Sequence, residues 1–445
     1  MMSMGLLPMS MRWVWAASLC GAAALARTKR GASNDTQPAP RRLLYPIMVR
    51  GGPNNQYQQY FESLLLAKTL KRGIVLAPFL SWTHDREHRA HAFASTFDVD
   101  ALARFIPVAS VDALGSYALG SALATCGHVP SFGNLRTVCA MAHLRCADEG
   151  RAIHSNLKLD GLAAKKRCEK SGTRATCRAA PLVNRPVMEA SLWNSIPAGL
   201  FDRGATTSAT TMAALRALRR APTVRKLAAA ARRAIFGPGR PRYVCAHVRR
   251  VEDDQRCKDG GSRGAPKVSC GPKAKGYAAP ADLAGVIARV AKAAKLTKVY
   301  VARASAKTLA ALFGSQEGDV LLRLLRETLD AHSLSEDGAL ARLLNASSLT
   351  NYDVSLVEQE LCATASVFVA TEDSTWSSLV AHQRAATMGR GGCSTSFERW
   401  LATSSGKTQS APSSRRTMAS LVADAFYAAP KPHIDAACVP QTYIS

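Results

Sequence analysis

Three stretches of this 445-residue chain set chemistry-bearing side chains where a strand runs into a turn or helix. The first is Gly51-Gly52-Pro53-Asn54-Asn55-Gln56. Glycines there let a ligand approach the backbone, and the start of the following helix favours an anion. The second is Ala246-His247-Val248-Arg249-Arg250-Val251-Glu252-Asp253. In a strand His247 and Arg249 share one face, and an Arg fork can grip a diphosphate through two parallel hydrogen bonds. The third is Phe368-Val369-Ala370-Thr371-Glu372-Asp373-Ser374-Thr375-Trp376-Ser377. Asp373 or Ser374 would cap the next helix, leaving backbone N–H groups and hydroxyls for a phosphate. Any one stretch fits an ordinary β-to-α turn. Together they point to a ligand that carries phosphates.

The elements that must position them alternate. Residues 43–49 read as a strand, residues 56–70 as a helix on the spacing of Tyr57, Tyr60, Phe61, Leu64 and Leu65, and residues 73–77 as a strand. Strand, glycine turn, helix, strand is a βαβ unit and predicts a parallel sheet. A second βα series begins near Arg242, with strands at 243–248, 298–302 and 367–370 and helices at 281–294, 306–313, 354–364 and 374–384. Residues 212–235 form an Ala/Arg-rich helical stretch ending in Gly237-Pro238-Gly239, a hinge signal. The expected order is a leader at 1–26, a stem at 27–42, a Rossmann-like domain with a Cys-rich insertion at 43–215, a basic linker at 216–241, a second Rossmann-like domain at 242–400 and a tail at 401–445. Two such domains would enclose a cleft at the carboxyl ends of their strands, where folds of this kind bind ligands.

Composition narrows the classes. Hydrophobic residues are 47 % of the chain, enough for packed cores, which excludes a disordered protein. The formal charge is +26. Residues 213–242 hold nine Arg or Lys and no acid, which fits a polyanion patch or a solvated Arg-rich helix; the helix is the simpler reading. No nucleic-acid module is visible, so no nucleic-acid partner is expected.

Arg12, an apolar run at 13–26 and Ala24-Leu25-Ala26 have the anatomy of a secretory signal peptide, with a short signal anchor as the alternative. Membrane association is expected only through this segment, and the body is expected in the lumen of the endoplasmic reticulum or Golgi. Eleven of the twelve cysteines follow the leader, an odd number, so one thiol is left over if the rest pair. Cys245, in an apolar strand, is the candidate. Cys126, Cys139, Cys146, Cys168 and Cys177 suggest a stapled insertion, and Cys257 with Cys270 a local pair. Sequons begin at Asn34 and Asn345.

No metal site is expected. Asp98-Val99-Asp100 has the look of a D-x-D motif, but it precedes a helical run that Asp100 can cap. His84, His88 and His91 lack the H-E-x-x-H order of a zinc helix and read as a polar surface loop.

On these motifs the chain resembles the GDP-fucose protein O-fucosyltransferases. GGPNNQYQQYFESLLLAKTLKRGIVLAP is similar to the family's opening loop, helix and second strand, and FDVDALARFIPV to the segment after it. YVCAHVRRVEDD matches H-x-R-x-x-x-D through His247, Arg249 and Asp253, and VEQELCATASVFVATEDSTWSSLVAHQR resembles the late S-T-[FW]-S motif with Cys362 and a trailing Arg384. The resemblance implies an α/β protein of the GT-B arrangement, two facing Rossmann-like domains with a cleft between them. It implies an inverting transfer of fucose from GDP-fucose to a Ser/Thr hydroxyl of an acceptor protein or glycoprotein, with no metal or other cofactor. Arg249 would grip the β-phosphate and Asn55, or Asn54 one register away, would act at the reacting centre. Gly51, Gly52, Asn54, Gln56, His247, Asp253, Asp373, Ser374, Thr375 and Trp376 would bind the donor. Two departures stand out: Asn replaces the Glu that some relatives carry in the first loop, and Val301-Ala302-Arg303-Ala304-Ser305 lacks an Asp common in that region. The alternatives are an α1,6-type fucosyltransferase acting on a glycan, suggested by His247-Val248-Arg249-Arg250, and a catalytically degenerate lumenal polyanion-binding protein. Glu62, well inside the first helix, is read as a helix-face residue rather than a base.

Overall fold

The computed structural model describes residues 42–48, 52–80, 90–114, 118–119, 123–126, 145–146, 187–192, 205–249, 268, 277–302, 316–334, 349–371, 374–388 and 393–404. Gly51, Asp253 and Asp373, the leader, both sequons, the expected helix at 306–313, His84, His88 and the Cys257–Cys270 pair lie outside the described residues.

The first half builds β1 (Leu43–Pro46), α1 (Pro53–Thr69), β2 (Gly73–Val75), α2 (Val99–Ala103), β3 (Val108–Ala109), β4 (Leu123–Cys126), β5 (Val187–Leu192) and α3 (Ala205–Ala217). Its sheet is parallel throughout, in the order β3-β2-β1-β5-β4. The second half builds α4 (Pro222–Phe236), β6 (Val244–His247), α5 (Pro280–Ala293), β7 (Lys298–Ala302), α6 (Gln316–Arg326), β8 (Asp330–His332), α7 (Asn351–Thr364), β9 (Val367–Ala370), α8 (Thr375–Met388), β10 (Cys393–Ser396) and α9 (Phe397–Ser404). Its sheet is also parallel, ordered β8-β7-β6-β9-β10. This is the doubly wound order, and it reverses between β6 and β9. Residues from Pro40 onward form one compact unit that holds both sheets.

Helices cover both faces of the second sheet, which is why its strands read as unbroken apolar runs. Val244, Ala246, Val299, Val301, Val367 and Val369 join the core under α5 and α6. Their neighbours Tyr243, Cys245, Tyr300, Ala302, Phe368 and Ala370 join the core under α4, α7 and α8. Burying a side chain such as Phe368 contributes about 1.5–3 kcal/mol.

Residues 216–241 are not an open link. The single helix expected over 212–235 is broken at 218–221, and Pro222 opens α4 as its first residue, where the missing N–H costs nothing. Val224 and Leu218 enter the first core, while Ala228, Ala231, Ile235 and Phe236 enter the second. Helices α7 and α8 are shared in the same way: Tyr352, Leu356, Leu379 and Ala386 pack with the first half, and Leu361, Cys362, Val380 and Ala381 with the second.

Three expectations need correction. Helix α1 begins at Pro53 rather than Gln56, so Asn54, Asn55 and Gln56 lie in its first turn and not in a loop. Asp98, not Asp100, caps α2: its Oδ1 accepts from Ala101 N at 3.0 Å, and its Oδ2 pairs with Arg219 at 2.7 Å and Arg225 at 3.1 Å. Burial works to raise this carboxyl's pKa, but the Ala101 N–H and the two guanidiniums outweigh it and hold the pKa low. Cys245 is not the leftover thiol; it forms a disulfide with Cys362 of α7. An apolar strand predicts burial, but the partner lies 117 residues away and no local pattern reveals it.

The trailing Arg384 is fully buried and acts on the scaffold. Its Nη1 donates to the carbonyls of Cys362 at 3.1 Å, Ala363 at 3.3 Å and Ala365, its Nη2 to Ser366 at 3.1 Å and its Nε to Ser394 Oγ at 3.1 Å. The end of α7 therefore has its carbonyls satisfied by one guanidinium. Arg384→Met should lower unfolding free energy by about 3 kcal/mol or more, because those carbonyls stay buried without donors; a denaturant midpoint unchanged from wild type would contradict this. Removing the disulfide with Cys245→Ala and Cys362→Ala together should cost about 4–5 kcal/mol, since it closes a loop of more than 100 residues. Non-reducing peptide mapping checks the pairing; alkylation of both thiols in unreduced protein counts against it.

Candidate active site

The carboxyl ends of β6 and β9 flank the switch point of the second sheet. His247 ends β6, and Arg249, half-buried, lies two residues beyond it. Thr371 follows β9 directly and ties the two strand ends together. Its Oγ1 donates to His247 O at 2.8 Å and accepts from Arg249 N at 3.4 Å. Its N–H donates to Ser377 Oγ at 3.2 Å, and the same hydroxyl lies 2.8 Å from His247 Nδ1.

The His247 ring stacks on Trp376, with centroids 4.0 Å apart and an 18° tilt. Trp376 Nε1 donates to Ser355 Oγ of α7 at 3.0 Å, which fixes the indole. Burial, helped by the nearby Arg249 charge, pulls the His247 pKa down to about 3. The imidazole is therefore neutral at physiological pH.

Ser374 stands as a cap of α8: its Oγ accepts from Ser377 N at 3.4 Å, and its own N–H bonds to Thr371 O at 3.2 Å. The N–H groups of Thr375 and Trp376, in the first turn, have no intrahelical partner by construction.

From the first half, α1 brings its N-terminal turn. Gly52 precedes it in extended backbone, φ −72°, which any residue adopts. Asn55 N bonds to Gly52 O at 2.9 Å, and Gln56 is buried. Asn54 crosses to the second half: its Oδ1 accepts from Gln359 Nε2 of α7 at 2.7 Å. Gln359 Oε1 in turn accepts from Arg220 Nη2. Asn54 and Arg220 line a cavity of about 100 Å³ with Tyr57, Phe97, Tyr352 and Ser355. Thr96 Oγ1 and Tyr352 Oη lie 2.8 Å apart, and His91 stacks on Tyr352 at 3.9 Å, so several contacts join the halves at this point.

The structure thus gathers His247, Arg249, Ser374, Thr375 and Trp376 at one switch point, and joins Asn54 to them through α7. Glu62 is buried in α1 and accepts from Gln58 Nε2 at 3.4 Å. Thr371 and Ser377 went unassigned in the sequence although they stand inside the late motif. Arg220 and Gln359 carried no signal beyond being polar residues in helical segments. Among the described residues no group of three His, Cys, Asp or Glu is placed to hold a metal ion.

The family model for GDP-fucose protein O-fucosyltransferase matches residues 43–387, more than half of the chain. The chain belongs to the GDP-fucose protein O-fucosyltransferase family. Among curated proteins no match is found. Among solved structures, POFUT1 in complex with GDP is similar, at 14 % identity and a TM-score of 0.52, over 81 % of this chain and 99 % of that one. POFUT1 in complex with GDP-fucose gives 16 % identity and a TM-score of 0.51, over 79 % and 96 %. At these identities the likeness speaks for the fold, and that fold is the GT-B arrangement expected of an O-fucosyltransferase.

Burial also lowers the pKa of His382, which lies between Tyr57 and Phe61, to about 4. A folded pKa below the unfolded value of about 6.5 means that the unfolded chain binds protons the folded one does not. The stability that His247 and His382 leave intact above about pH 6.5 is lost as pH falls toward 4. The urea midpoint should therefore drop between pH 7 and pH 5, and His382→Leu should make that drop smaller. An equal drop in the variant would mean that His382 is not held neutral.

Proposed function

We propose that this family member is an inverting glycosyltransferase that moves fucose from GDP-fucose to a Ser or Thr hydroxyl of a protein acceptor, without a metal, in the lumen of the endoplasmic reticulum or Golgi. The observation that carries the reading is the convergence of Arg249, neutral His247 and the Ser374-capped start of α8 on the switch point of the second sheet. A diphosphate leaving group gains negative charge as the glycosidic bond breaks. A half-buried guanidinium and a helix start meet that charge without a cation. The POFUT1 structures similar to this chain hold GDP or GDP-fucose, which fits the same reading. The basic, apolar and small-residue order of the first 26 residues supports the lumenal location.

Asn54 and Asn55 stand where a base would be sought, and an amide takes no proton at neutral pH. The reaction is therefore read as early departure of GDP, an oxocarbenium-like fucose, and an acceptor hydroxyl that releases its proton late, to the leaving phosphate. Inversion gives an α-linked product.

Arg249→Lys should lower kcat about 100-fold or more, because a point charge cannot replace the bidentate fork. The measurement is GDP release from GDP-fucose with a protein acceptor, with GDP-mannose as competitor. Near-normal turnover would remove Arg249 from the mechanism. The same assay should survive EDTA; loss of activity restored by Mn²⁺ would overturn the metal-free reading.

A further inference from the structure

A guanidinium has five N–H donors and no acceptor. Where Arg220 Nη2 meets Gln359, the glutamine must therefore present Oε1. That commits Gln359 Nε2 to its other side, where it donates to Asn54 Oδ1 at 2.7 Å. Asn54 Oδ1 is thereby committed to the Gln359 side, and its Nδ2 amide is left as the donor on the side of the cavity it lines. Each amide could turn over without changing shape, so polarity alone fixes its direction. The chain of choices starts at Arg220, 1 % exposed, and runs through Gln359, 0 % exposed.

We propose that Arg220 and Gln359 are positioning residues that hold Asn54 as a hydrogen-bond donor toward the cavity it lines, so that a ligand group reaching that cavity presents an oxygen lone pair. This rests on the fucosyl-transfer reading and adds to it how the first turn of α1 is oriented. The oxygen belongs to the sugar nucleotide or to the acceptor hydroxyl. A rise confined to the KM for GDP-fucose or to that for the acceptor tells which.

Gln359→Glu keeps the shape and reverses the polarity. A carboxylate satisfies Arg220 but cannot donate, so Asn54 must turn its Nδ2 inward and offer Oδ1 to the ligand. We expect kcat/KM to fall about tenfold or more with a melting temperature close to wild type. Asn54→Ala should cost less in the Gln359→Glu background than alone, since the amide is already misdirected. Arg220→Lys, still a donor only, should keep more activity than Arg220→Met. Normal kinetics in Gln359→Glu, or strictly additive losses, would overturn the proposal. If Gln359→Glu does not fold, the Arg220→Lys and Arg220→Met pair decides, equal activities counting against it. Side-chain amide NMR gives a readout independent of turnover: the Asn54 NH₂ pair, assigned by its loss in Asn54→Ala, should shift in Gln359→Glu. A wild-type protein inactive on GDP-fucose would sink the fucosyl-transfer reading, while an unmoved NH₂ pair would sink the relay itself.

Discussion

Arg220 is buried where the two cores meet, and its charge must be met inside the protein. Leaving a charge unmet at such depth costs several kcal/mol. Gln359 takes one of its N–H groups, the Phe97 ring lies 4.9 Å from the guanidinium carbon, and Glu360, Tyr352 and Tyr57 act on it electrostatically. These groups come from both halves of the molecule. The arginine's Nε and Nη1 make no hydrogen bond among the described residues, so the few contacts it has depend on how α1 and α7 pack, and the same packing joins Asn54 to Gln359 of α7.

Helix α7 carries this requirement and is anchored along its length. Thr350 and Asp353 form a reciprocal capping box at its start, with Asp353 N to Thr350 Oγ1 at 3.2 Å and Thr350 N to Asp353 Oδ2 at 3.0 Å. The Cys245–Cys362 disulfide ties it to β6, the strand that ends in His247. Arg384 closes its last turn from α8. Ser355 and Gln359, one turn apart, then reach Trp376 and Asn54. A helix capped at its start and bound at its end by a buried guanidinium delivers those two contacts with little freedom.

The switch point explains why one threonine matters so much. Parallel strands on either side of a reversal send their connections to opposite faces, which leaves a crevice at their carboxyl ends. Thr371 bridges that crevice at backbone level through His247 O and Arg249 N. Its backbone N–H also holds Ser377, and through it the imidazole. Burial of His247 against Trp376 keeps the ring uncharged, so among the described residues Arg249 and the start of α8 supply positive charge at the crevice.

Local pattern carried much of this. Runs such as Val244–His247 and Val367–Ala370 could be read as strands because burial on both faces demands unbroken apolar sequence. The helix after Gly52 followed from its aromatic and leucine spacing, and the placement of His247, Arg249 and Ser374 just beyond strand ends from the strand pattern around them. What the sequence could not settle depends on partners far along the chain. Cys245 looked like a lone buried thiol until β6 met α7. Asp98 looked like half of a D-x-D motif, with the cap expected at Asp100, until Arg219 and Arg225, more than 100 residues on, were found paired with it. Arg220 looked like one more charge on a solvated basic helix. Its burial against Gln359 and Phe97 is decided by the packing of two cores, and no periodicity within residues 213–242 encodes the distance to another helix.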